Sequence, residues 1–166
     1  VEAKKEQILT GFEWEQLLSE YPVVVADKRK YYIESNRSHY NHAHHSEGLD
    51  VAEQIIAEKY PEYSAAFTKV CNRTWAHMFN MFVMRRDLFN QYCEWMFSIL
   101  EEIEKRVDIS GYDMYEARIY GFVSEILLDV WLEANNINYK EQNVSFMEPQ
   151  YWLKMGGLFL KSKFFK

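Results

Sequence analysis

Apolar and polar positions along this chain alternate between two periods, and the switches between them mark out the elements. From Ile8 to Tyr21 the apolar residues Phe12, Leu17, Leu18 and Tyr21 share one side, which predicts an amphipathic helix. Thr10 and Glu13 stand at capping-box spacing near its start, and Pro22 stops it. Val23, Val24 and Val25 follow as a β-branched run, the mark of a buried strand that ends at Asp27. Helical spacing resumes with Val51, Ile55 and Ile56, with Asp50 and Glu53 as a second capping-box pair and Pro61 as the break. A short helix carrying Tyr63, Phe67 and Val70 comes next.

The string HMFNMFVM, His77 to Met84, is almost continuously apolar and predicts a second buried strand with Asn80 in its middle. The clearest helical pattern runs from Asp87 to Val107 through Leu88, Tyr92, Met96, Leu100 and Ile103, with an acidic face toward water. A second long helix is expected from about Asp113 to Ala134, closed by Asn135 and Asn136, since Asn tolerates the left-handed conformation at helix ends. A last short strand is expected within 137–144. The fold class is therefore α/β and helix-rich, with a few short strands and two long C-terminal helices.

Composition narrows the function. The formal net charge is -6, with no basic face for a phosphate backbone, which argues against nucleic acid. Aromatic residues make up 17% of the chain, enough for a ring-packed core and for platforms on which sugars stack. The two cysteines, Cys71 and Cys93, sit in helical segments and read as packed free thiols of a reducing cytoplasm. No stretch is apolar enough to span a membrane and no signal peptide opens the chain. The stretch 151–166, YWLKMGGLFLKSKFFK, pairs aromatic clusters with lysines and no acid, and is expected to lie at a membrane surface, apart from a unit at 1–148.

The chemistry concentrates in one place. Four of the five histidines, His39, His42, His44 and His45, fall in SHYNHAHHSEGLD, just after the basic-aromatic run DKRKYYIE. A loop of this composition suits something polar or anionic. The spacing H-x-x-H-x-H-H matches no established zinc pattern and would need a carboxylate such as Glu47. On the second long helix, Arg118, Gly121, Phe122, Glu125 and Asp129 stand three and four residues apart. Glu125, among apolar neighbours, is expected to be partly buried with a raised pKa. It reads either as half of a structural pair with Arg118 or as a functional acid. Gly121 mid-helix reads as room for a close approach. P-loop, Rossmann-fingerprint and hydrolase-elbow motifs are absent, as is the D-x-D that commonly holds a metal and sugar nucleotide.

The ordered strings ILTGFEWEQLL, DKRKYYIES, HYNHAHHSEGLD, EKYPEY, FNMFVM, EKRVDIS and ARIYGFVSEILLDVWLE resemble the C-terminal part of the domain of unknown function 4422, over roughly Ile8 to Glu141. These are glycosyltransferase-like proteins encoded with bacterial capsular and exopolysaccharide genes. The resemblance implies a partial A-type, Rossmann-like fold and transfer of a sugar from a nucleotide-sugar donor to a glycan or lipid-linked acceptor, in the cytoplasm or at the inner face of the membrane. A divalent cation, Mn or Mg, is the cofactor such a donor would bring. Members carry an earlier segment with Cys-Glu-Leu-Thr and His-Tyr-Arg-Arg elements. Neither occurs here, and the chain opens on Val1, so it is expected to be a fragment or a truncated version.

By the same resemblance, Glu125 is the first choice for the base that deprotonates the acceptor hydroxyl, with His44 or His45 second. Asp27, Lys28, Arg29, Tyr31, Tyr32, His39, Tyr40, His42, Asn80 and Arg118 are expected to contact substrate. No residue is assigned to a metal. Two rivals stand beside this reading: a non-catalytic helical interaction module at the membrane or in a polysaccharide-assembly complex, and a metal-dependent hydrolase built on the histidines.

Overall fold

The computed structural model describes residues 8–145. The stretch expected to lie at a membrane surface, and the boundary drawn before it, fall outside the described residues. Helix α1 spans Gly11–Glu20, and its capping box forms: Thr10 Oγ1 accepts from the Glu13 N–H, and the Thr10 N–H donates to Glu13 Oε2 at 2.7 Å. Strand β1, Val23–Ala26, is buried along its whole length, as a β-branched run without polar alternation requires.

Strand β2 is Arg29–Lys30, followed by helices α2, Asn36–Ala43, and α3, Glu47–Lys59. A 3₁₀ turn at Pro61–Tyr63 leads into α4, Ser64–Asn72. Strands β3, Trp75–Ala76, and β4, Phe82–Met84, precede α5, Arg86–Arg106. A second 3₁₀ turn at Glu116–Arg118 opens α6, Ile119–Ala134, and β5 is Tyr139–Gln142. The main sheet has the order β4-β1-β5. β1 is parallel to β5, with Val23 opposite Tyr139, and antiparallel to β4, with Val23 opposite Met84. A two-stranded ribbon pairs β2 with β3.

Helix α6 is the centre of the core. It is apolar nearly all round and packs against α3, α4 and α5. Phe67, Tyr92, Ile99, Ile103 and Leu127 are fully enclosed around it. Tyr92 meets Trp131 edge to face at 5.6 Å between centroids, so the high aromatic share goes largely into this packing. Cys71 and Cys93 are both free, and burial pushes the Cys71 thiol up to about 11.

Three expectations from the sequence need correction. First, the histidine-rich segment is not a loop. Ser35 caps α2 by accepting from the Ser38 N–H, and Asn36 Nδ2 donates to the carbonyls of Val70 and Trp75, both at 2.8 Å. Only Asn36 and Tyr40 of α2 are buried, so the helix leaves almost no apolar period to read. Second, Asp50 and Glu53 do not cap a helix: α3 starts at Glu47, and both carboxylates instead hold Arg37, at 2.8 and 2.7 Å. Third, 77–84 is not one strand. Phe79 and Asn80 take positive φ angles of 76° and 50°, which ends any extended run and leaves Phe82–Met84 as the only strand within it. Asn136, by contrast, adopts the left-handed conformation expected of it, with φ 50°.

The glycine that matters for packing is Gly48, not Gly121. A Cβ on Gly121 would meet nothing, whereas a Cβ on Gly48 would sit 2.5 Å from both Cγ1 and Cδ1 of buried Ile119. Gly48→Ala gains helix propensity of about 1 kcal/mol but overpacks α3 against α6 at a cost of about 1–3 kcal/mol. Net destabilisation is expected in urea unfolding, and Ile119→Val, which removes Cδ1, is expected to recover part of it.

Candidate active site

A pocket of about 280 Å³ opens between α2, the turn before β4 and the start of α6. Arg29, Tyr31, His39, Tyr40, His44, Arg118 and Glu125 all line it. The chain thus gathers seven of the expected site residues from β2 through α6 around one space. Tyr31, Asn36 and Tyr40 line it with part of their side chains, while Tyr31 Oη, Asn36 Oδ1 and Tyr40 Oη are buried in the protein without a hydrogen-bond partner.

Glu125 is half-buried among these groups. Burial raises its pKa above the ordinary carboxylate value. The Phe79 backbone N–H, Arg118 and Arg29 pull it partly back. Phe79 and Asn80 turn the chain there with positive φ angles, and Asn80 Nδ2 pins the turn by donating to Gly121 O at 3.2 Å and Ser124 Oγ at 2.8 Å. Asn80 therefore holds the wall that shapes Glu125's surroundings and does not line the pocket itself. Arg118 is exposed and makes no ion pair with Glu125; its guanidinium lies over the Phe122 ring at 5.3 Å. The structural-pair reading of Glu125 is thereby set aside.

The four clustered histidines split three ways. His39 Nδ1 lies 3.2 Å from Glu34 Oε2, and His42 Nδ1 lies 2.9 Å from Glu34 Oε1. An ionised carboxylate only accepts, so with Glu34 charged both Nδ1 atoms carry hydrogen. Burial holds His39 below its ordinary pKa, and its ring stacks on Tyr31 at 4.0 Å. His44 is stacked on Phe122 at 3.8 Å, and burial lowers it to about 4, so it is neutral at physiological pH. His45 turns the other way, onto Tyr112 at 4.4 Å and Glu116 Oε1 at 2.9 Å, outside the Glu125 pocket.

Other expected contacts lie elsewhere. Lys28 binds Glu141 at 2.6 Å and covers the Trp75 ring, Tyr32 is 89% exposed, and Asp27 is exposed beyond β1. Among the described residues no group of three or more His, Cys, Asp or Glu is placed to hold a metal ion. No helix among the described residues is long and apolar enough to cross a membrane.

Two features escaped the sequence reading. Glu34, buried and holding two histidines, looks like an ordinary loop acid in one dimension. The fifth histidine, His77, is fully buried: its backbone N–H donates to Asp129 Oδ2 at 2.9 Å, and its Nδ1 lies 2.6 Å from Asp129 Oδ1. Arg73 Nη2 sits 2.6 Å from Asp129 Oδ2. Asp129 was visible as a polar residue on the apolar helix; its partners are 52 and 56 residues away in sequence, beyond any local pattern.

A larger groove of about 430 Å³ runs along the sheet past Val24, Val25, Phe82 and Val83, but no titratable side chain lines it.

Comparison with known proteins agrees with this architecture. The chain is similar to the apo structure of WbbM, a bifunctional glycosyltransferase, with a TM-score of 0.74 and 27% identity over 78% of this chain. It spans 24% of that protein's length. No curated protein matches. A helix-rich α/β fold like that of part of a glycosyltransferase is what the chain adopts. The model of the family described as "Domain of unknown function (DUF4422)" matches residues 1–136, and the chain belongs to that family.

Proposed function

We propose that the chain carries part of the transfer centre of a glycosyltransferase that moves a sugar from a nucleotide-sugar donor to a hydroxyl of a glycan or lipid-linked acceptor, in the making of capsular, exopolysaccharide or lipopolysaccharide chains. The observation that carries this reading is the Glu125 pocket, where a half-buried carboxylate of raised pKa shares one space with two arginines and two histidines. The family and the similarity to WbbM support it.

In this mechanism Glu125 takes the proton of the acceptor hydroxyl as that oxygen attacks the anomeric carbon. Its raised pKa makes it a stronger base than an ordinary carboxylate. Arg29 and Arg118 oppose the negative charge that grows on the departing diphosphate. His39 and neutral His44 hold sugar hydroxyls, with Glu34 fixing the His39 ring. A lipid-linked acceptor would bring the work to the inner face of the membrane, where the basic, aromatic stretch 151–166 would add attraction to anionic lipid.

Arg29→Ala and Arg118→Ala in the full-length protein are expected to weaken binding of nucleoside diphosphates about tenfold or more each, since each removes a charged partner. Calorimetry against a panel of uridine, guanosine and thymidine diphosphates reads this directly. Equal binding by parent and double variant would remove the arginines from the donor site. Absence of binding to any of the panel would favour the interaction-module reading.

A further inference from the structure

We propose that the space beside the Glu125 pocket is a second carbohydrate subsite, holding a sugar unit of the acceptor one or more residues away from the hydroxyl that reacts. This rests on the reading of the Glu125 pocket as the transfer centre. The adjoining pocket measures about 340 Å³ and is lined by Asn41, His42, His45, Tyr112 and Glu116 on its own side. It shares Ala43, His44, Tyr115 and Phe122 with the Glu125 pocket. One wall of rings, His44 on Phe122 at 3.8 Å and Tyr115 to Phe122 at 5.2 Å, thus serves both spaces. A chain passing from one to the other would meet aromatic surface throughout.

The two pockets sort charge in a way that selects their ligands. The arginines Arg29 and Arg118 face the first, which suits a diphosphate. The second holds Glu116, with Glu47 accepting from Tyr112 Oη at 3.2 Å nearby, which repels phosphate. Its remaining groups are a neutral amide, imidazoles and phenols. Sugars match this set, because their hydroxyls both donate and accept while their C–H faces pack on rings. Tyr115 is 53% exposed and Met114 is 91% exposed, so the loop before α6 offers apolar surface to solvent beside the opening. His45 lies flat on Tyr112 and is tied to Glu116, which holds one imidazole face in a fixed plane.

Acceptor length is the variable that tests this. The full-length protein is applied to an array of bacterial surface saccharides of one to four units, and the affinity of each is measured. The parent is expected to bind the longer saccharides about tenfold tighter than the single sugars, the scale of one added set of hydrogen bonds. Tyr115→Ala and Glu116→Ala, both at exposed or half-exposed positions, are expected to compress that ratio toward one, while Lys105→Ala on the far helix keeps it. Melting temperature identifies any variant that has lost its fold, and His45→Ala serves as the replacement. Saccharide binding independent of length, or a length preference untouched by all three variants, overturns the subsite. Length-dependent binding that these variants abolish, in a protein that transfers no sugar from any donor, leaves the subsite standing and removes the transfer reading instead.

Discussion

Glu125→Gln is expected to lower sugar transfer by about 10²–10⁴-fold, the usual range for losing a positioned general base. The amide keeps the shape and the Phe79 contact but cannot take a proton. The variant carries a second signature that separates a lost base from a lost fold. Burial raises the Glu125 pKa, so the charged form is disfavoured in the folded state. For an acid with a raised folded pKa, the folded state binds the proton more tightly than the unfolded state. Stability therefore falls as pH rises from the unfolded value through the folded one. Gln carries no such penalty, so at neutral pH the variant is expected to melt no lower than the parent. A thermal melt beside the rate assay checks both. The parent's acidic rate limb should lie above the ordinary carboxylate range, because Glu125 must lose its proton to work. Transfer at the parental rate by a folded Glu125→Gln would end its role as base.

Asp129→Ala is expected to be the most damaging single change to stability. Asp129 is 2% exposed and receives the His77 backbone N–H, its imidazole and the Arg73 guanidinium. Removing one member of a buried ionic cluster costs about 3–5 kcal/mol, because the remaining charge stays buried without compensation. Arg73 would be that charge, left with its Nε bond to the Trp75 carbonyl at 2.9 Å, its stack on the Trp75 ring and Glu133 at 3.9 Å. The Asp129 pKa is lowered: burial pushes it up, but His77 and Arg73 together outweigh burial. For an acid with a lowered folded pKa, the stabilisation is fully present above the unfolded value of about 4 and is lost as pH falls through the folded value. Acid unfolding of the parent should thus show a loss below about pH 4 that Asp129→Ala lacks. The double variant Asp129→Ala, His77→Ala should cost less than the sum of its parts, since the two share one interaction. Additive losses would mean that the two residues act separately.

Much of the fold could be read one-dimensionally because long apolar periods set it. The helix from Arg86 lies within a residue of its expected bounds, the one expected from about Asp113 starts six residues later at Ile119 but ends at Ala134 as expected, and the Val23–Val25 run is the central strand. Helix α2 could not be read that way, since its hold on the protein is the Asn36 amide and one buried tyrosine instead of an apolar face. The pocket was half legible. Glu125 stood out as an acid among apolar neighbours, and the histidine run stood out by composition. Their division between Glu34, Phe122 and Tyr112 depends on which face of α2 each histidine occupies, and on a loop some 70 residues later. The Asp129 cluster depends on contacts across more than 50 residues, for which no local period exists.

The most direct test of the central claim is nucleoside diphosphate release by the full-length protein, measured over a panel of nucleotide-sugars with and without lipid-linked oligosaccharide from a polysaccharide-producing cell. Release is expected from a particular donor, to depend on the acceptor and to disappear in Glu125→Gln. Release from no donor under these conditions, or equal release by the Glu125 variant, would contradict it.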